Sequence, residues 1–165
     1  MIRLRTVRRV MTNHVNNLTN SPIQFGIWTM AVWFTTNGIF AYLIYPGMFS
    51  SMTPKTTILF GFVPVTLNLC HTACHFVTGL IGLVAVRRRS WSIACALIGT
   101  VYYIAWGILG LVGGQHVRHH LGVDVFGSWV HVVEGLILFL IWFDDHRRGK
   151  RRAAASTADQ LAAAS

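Results

Sequence analysis

Residues 66–86 read TLNLCHTACHFVTGLIGLVAV. Taking histidine as neutral, the stretch carries no formal charge, and its apolar residues run all round a helical projection instead of forming one stripe. A helix of that kind is surrounded by lipid or by other helices, and the stretch is long enough for a bilayer crossing, which needs about 20 residues. Yet it holds Asn68, His71 and His75, which hydrocarbon cannot solvate. With Gly79 and Gly82 these follow i, i+3, i+7, i+11 and i+14, so one face is both polar and small. Such a face turns toward another helix, because glycine allows close approach and lipid satisfies neither imidazole nor carboxamide.

Three further stretches have the same character: Gly26–Tyr45, Trp91–Val112 and Val125–Phe143. Over the 165 residues, 53% are hydrophobic and only 12% charged, against about 25% charged in ordinary soluble domains. The composition excludes an ordinary soluble protein, and the length leaves no room for a separate soluble catalytic domain. The expected fold class is therefore an all-α integral membrane protein. Its four-transmembrane-helix bundle would cover residues 26–143, between a basic arm at 1–25 and a basic, alanine-rich tail at 144–165. Ile58–Val65 is apolar but too short to span, and Pro64 separates it from the second span, which predicts an interfacial or re-entrant piece.

The net charge of +9 reports topology before it reports partners. Arg3, Arg5, Arg8 and Arg9 precede the first span, Arg87, Arg88 and Arg89 link the second and third, and Arg147, Arg148, Lys150, Arg151 and Arg152 follow the fourth. Only Lys55 and Arg118 fall on the opposite side. The positive-inside rule then puts both termini in the cytoplasm of an inner membrane, with basic residues facing anionic headgroups and not nucleic acid. Trp28, Trp91 and Trp142 near inner ends, and Tyr42, Tyr45 and Trp129 near outer ones, suit the headgroup level. Residues 10–25 are too polar for the apolar region of a signal peptide.

Six polar residues fall inside predicted spans: Asn37, Asn68, His71, His75, His131 and Glu134. At a rise of about 1.5 Å per residue, His71, His131, His75, Glu134 and Asn37 lie roughly 8–14 Å below the outer ends of the spans, in a common layer. Gly127, His131, Glu134 and Leu138 form the matching stripe of the fourth span, which runs in the same direction as the second. Three chemistries fit this layer. Neutral imidazoles with a carboxylate can hold a transition metal or haem iron. A glutamate beside histidines at membrane depth can relay protons or line a ligand pocket. The same groups can also simply hydrogen-bond helices in register.

Other features carry less. Cys70-His71-Thr72-Ala73-Cys74-His75 has three residues between its cysteines where covalent haem attachment has two. Cys70, Cys74 and Cys95 read as small packing residues. His116, His119 and His120 lie in an outer loop that reads as solvated, although histidine-rich tracts can bind metal. Asp124 is placed to cap the fourth span. Gly99, Tyr103, Trp106 and Gly110 share a stripe of the third span and suit close packing around an aromatic core. Neither a nucleophile–base pair, a phosphate loop nor an H-E-x-x-H motif is present, so enzymatic activity has no positive signal beyond the His/Glu layer.

Several of these segments together resemble the bacterial membrane proteins of the family known as DUF4383. The likeness rests on Asn68–His75 (NLCHTACH), Thr78–Gly82, Tyr102–Gly110 (YYIAWGILG), and Trp129-Val130-His131 with Gly135. It implies a small four-helix protein with Gly79, Gly82, Gly110 and Gly135 at helix contacts. Thr72 stands where the family pattern has asparagine, and Glu134 where it has an apolar residue. The family carries no assigned activity. The expected function is thus a small membrane scaffold or accessory protein, partnered by the bilayer and by a membrane complex or a second copy. The alternatives are a haem- or metal-binding redox module and a proton-coupled transporter or channel component.

Overall fold

The computed structural model describes residues 21–44, 53–59 and 63–164; most of the predicted basic arm lies outside the described residues. Helix α1 (Pro22–Ile44) opens on a proline, whose fixed φ suits the first helical turn. A hairpin follows, β1 (Lys55–Leu59) and β2 (Val63–Leu67), and then α2 (Leu69–Ala85). Helices α3 (Arg89–Val112), α4 (Gly114–Leu121) and α5 (Val125–Ala164) complete the chain.

The sequence explains where these helices start and stop. Asn68, in extended backbone, accepts the His71 amide at 2.9 Å through Oδ1 and so starts α2 three residues later than the predicted Thr66. Asp124 caps α5 as expected, its Oδ1 accepting from the Gly127 amide at 2.6 Å. At the other end of the bundle, the turn Val86–Arg88 reverses the chain, and the Gln24 carboxamide donates to the Val86 carbonyl at 2.6 Å, pinning the start of α1 beside the end of α2.

Helices α1 and α2 run antiparallel in close contact. A Cβ on Gly79 would collide with Thr35, and one on Gly82 would stand 2.7 Å from the Ala31 Cβ. Helices α3 and α5 pack the same way: Gly110 lies against Ser128, and a Cβ on Gly135 would stand 2.6 Å from Ile104 Cγ1. The four glycines expected at helix contacts are therefore at helix contacts, in two pairs. Ile23, Ile27, Met30, Phe34, Ala96, Tyr103 and Leu138 fill the interior between the pairs.

The structure departs from the expected architecture in two places. Of Ile58–Val65, the described residues are not one interfacial piece: Ile58–Leu59 and Val63–Val65 belong to two antiparallel strands paired from Lys55↔Leu67 to Leu59↔Val63, so the helical bundle carries one β-hairpin. Thr57, Ile58, Val63, Val65 and Thr66 are β-branched, and Pro64 is tolerated because a two-stranded sheet has only edge strands. The outer histidine-rich loop is a helix, α4, bounded by Gly114 at φ 72° and Gly122 at φ 66°. The basic, alanine-rich tail is helical and continuous with the fourth span, α5 running 40 residues from Val125 to Ala164.

Among the described residues, two helices are long and apolar enough to cross a membrane, Arg89–Val112 and Val125–Ala163. Helix α2, with 17 residues, is shorter than its predicted span because Thr66 and Leu67 belong to β2.

Candidate metal centre

His71 and His75 project from the first two turns of α2 toward α5, where His131 and Glu134 occupy one turn. All four are buried. The ring centroids of His71 and His75 are 4.8 Å apart, those of His71 and His131 4.9 Å, and those of His75 and His131 5.2 Å. One ligand nitrogen from each of the three rings lies within 4.8 Å of the others.

A hydrogen bond to a fixed acceptor assigns one tautomer, and an ionised carboxylate would give a second ring the same one. His71 Nδ1 is 2.7 Å from the Gly122 carbonyl, which can only accept, so the proton is on Nδ1 and the Nε2 lone pair is bare. His131 Nδ1 is 2.9 Å from Glu134 Oε2, and with the carboxylate ionised the same logic bares its Nε2. That Nε2 is buried and has no hydrogen-bond partner. His75 Nε2 lies 3.0 Å from His71 Nε2, and its Nδ1 is also buried without a partner. A protein-only arrangement can satisfy the His71 lone pair with a His75 proton. It leaves the His131 Nε2 and His75 Nδ1 lone pairs unmet, an omission worth about 1–3 kcal/mol for each group in a buried site.

The groups behind the histidines are themselves held. Glu134 receives the Trp33 indole proton at 2.8 Å on Oε1, leaving Oε2 for His131. Gly122 must be glycine twice over: its φ of 66° is left-handed, and a Cβ there would run into Asn68. Asn68 in turn donates to the His119 and His120 carbonyls at 3.4 and 3.1 Å, fastening α4 over the start of α2. A carboxylate or a carbonyl behind a ring nitrogen is the arrangement that orients metal-binding imidazoles and raises their basicity.

One side of the centre is open. A cavity of about 290 Å³ is lined by the three histidines and Glu134 together with Trp33, Asn37, Val65, Leu67, Phe126 and Val130. The opposite side is aromatic: Phe34 stacks on Tyr103 at 4.4 Å, and Tyr103 stands 5.7 Å from His131.

The structure thus brings His71, His75, His131 and Glu134 together as the sequence suggested. Asn68 positions His71, and Asn37 lines the cavity. Gly79 and Gly82 face α1, not α5. Sequence reasoning missed Trp33 and the Gly122 carbonyl. Trp33 was legible in principle, four residues before Asn37 on the same face of α1; a backbone carbonyl leaves no signal in side-chain spacing.

Residues 24–143 match the family described as Domain of unknown function (DUF4383). The chain belongs to that family. No curated protein and no solved structure matches the chain. In this DUF4383 chain, the matched region contains every residue of the three-histidine cluster and its Trp33, Glu134, Asn68 and Gly122 supports.

Proposed function

We propose that this DUF4383 protein is a membrane-embedded module that binds one transition-metal ion through His71, His75 and His131. The observation that carries the reading is that three buried imidazoles bring ligand nitrogens within 4.8 Å of one another, with His71 and His131 each held by a hydrogen bond at Nδ1 and the buried His131 Nε2 left without a partner. Metal–imidazole bonds of about 2.0–2.1 Å place neighbouring ligand nitrogens about 2.9–3.4 Å apart. The 3.0 Å between His71 and His75 already meets this, and the widest separation of 4.8 Å closes by a ring shift of about 1.5 Å.

All-imidazole ligation suits zinc, copper, nickel or iron and does not suit magnesium or calcium, which take oxygen ligands. It also argues against haem. Two axial imidazoles stand about 4 Å apart with the macrocycle between them, whereas His71 and His75 approach from one helix face at 3.0 Å. Three protein ligands with a cavity on the fourth side describe a centre open to exchange or to a small ligand, and not a closed structural staple.

Membrane embedding is supported by what covers the outside. Ile98, Val101, Val112, Leu136 and Leu140 are exposed along α3 and α5, an apolar exterior unsuited to water. Arg87–Arg89 and the basic run from Arg147 lie at one end of the bundle and Lys55 and Arg118 at the other, which supports an inner-membrane orientation with both termini cytoplasmic.

The test is metal analysis of protein purified in mild detergent from its native membrane, with His71→Gln and His131→Gln variants alongside. About one ion of zinc, copper, nickel or iron per chain, lost in both variants, supports the proposal. Folded protein that takes up none of these ions when they are supplied overturns it and leaves a polar core that joins helices.

A further inference from the structure

Helix α4 carries a second histidine pair with the spacing of the first, its rings nearly perpendicular where those of His71 and His75 are stacked. His116 and His120 are exposed, one helical turn apart, and their Nε2 atoms lie 3.1 Å from each other. That separation falls inside the about 2.9–3.4 Å expected of two nitrogens on one metal ion. Two histidines at i, i+4 on one helix face supply two ligands of a metal site. Water can complete the coordination, because both rings face solvent.

The helix is held in place before any ion arrives. Gly114 and Gly122 turn the chain at its two ends through left-handed backbone. Asn68 binds the carbonyls of His119 and His120 from below, and the Arg118 guanidinium is drawn to the Gly110 carbonyl at 3.3 Å. Arg118, the single formal cation of α4, is thereby engaged with α3. His119 stands one position off the face that His116 and His120 share, its ring centroid 6.0 Å from that of His120 where the pair's are 4.5 Å apart.

We infer that His116 and His120 form a second, solvent-facing site for a divalent transition ion, on the helix that adjoins the residue holding His71. The inference rests on the reading of the buried centre only for the class of ion.

Metal-free protein in detergent, titrated with zinc ion at neutral pH, tests it by stoichiometry. The wild type should take up about two ions per chain, and His116→Gln with His120→Gln about one. The His119→Gln control should keep both. Unchanged uptake in the double variant overturns the inference, as does an equal loss in His119→Gln, which would mean that the ion follows histidine density and not the pair. His71→Gln with His131→Gln reports separately: if that variant keeps two ions, the buried-centre reading fails while the surface site stands. Circular dichroism confirms helicity in each variant, and the exposure of His116 and His120 makes loss of fold there unexpected.

Discussion

Glu134 Oε2 accepts the Nδ1 proton of His131 at 2.9 Å, across one turn of α5, with both side chains at most 5% exposed. A buried carboxylate is expensive, and here its two oxygens are taken by His131 and Trp33. The charge makes sense as a means of holding His131 in one tautomer and making its free nitrogen a better ligand. Replacing Glu134 by glutamine keeps the shape and an acceptor but removes the charge. Metal affinity should fall about 10–100-fold, measured by competition with a chromophoric chelator, while helicity is kept. If the layer only joined helices, Glu134→Gln would relieve a buried charge and leave metal uptake unchanged.

Protons and metal compete for the same imidazole nitrogens, which fixes the sign of a pH effect. Metal requires neutral rings, so occupancy should fall as pH falls and the stabilisation due to the ion should go with it. An ion at about 100 times its dissociation constant contributes about 2.7 kcal/mol. Zinc should therefore raise the unfolding temperature more at pH 7.5 than at the lowest pH at which the protein stays folded. Equal shifts at both pH values would count against imidazole ligation.

What the sequence could and could not show follows from the range of each interaction. The stripe through Asn68, His71, His75, Gly79 and Gly82 is set by helical period, so it was readable, and all five residues are buried. Which helix each part of the stripe meets was not readable. The histidines reach His131 of α5 across the bundle through their long side chains, while the glycines bring α2 directly against α1. The hairpin was hidden because Ile58–Val65 is an apolar run whose register depends on pairing with itself. Helix α4 was hidden by its polarity, since it is organised by two glycines and by Asn68, 46 or more positions earlier in the chain.

The α1–α2 contact makes a packing prediction with an internal control. A Cβ on Gly79 would stand 2.5 Å from the Thr35 backbone nitrogen, where the neighbour is main chain and cannot rotate away. Gly79→Ala should destabilise the protein by about 1–3 kcal/mol through overpacking. Gly149 lies in the exposed part of α5 with nothing within 4 Å, so Gly149→Ala should be neutral or slightly stabilising, as alanine is the better helix former by about 1 kcal/mol. Thermal unfolding in detergent compares the two, and equal midpoints would refute the close approach of α1 and α2.

The proposed orientation can be tested through residues that differ in side but not in exposure. Gln115 on α4 and Ser156 on α5 are both exposed, at opposite ends of the bundle. Gln115 shares its end with Lys55 and Arg118, and Ser156 follows the basic run from Arg147 to Arg152, which the positive-inside rule keeps in the cytoplasm. In a background with Cys70, Cys74 and Cys95 replaced by alanine, Gln115→Cys should react with a membrane-impermeant maleimide applied to intact spheroplasts. Ser156→Cys should react only after the membrane is opened. The reverse pattern would invert the topology and place the His116–His120 pair in the cytoplasm. Labelling of both in intact spheroplasts would remove the fourth crossing, because α5 could not then carry α4 and the tail to opposite faces.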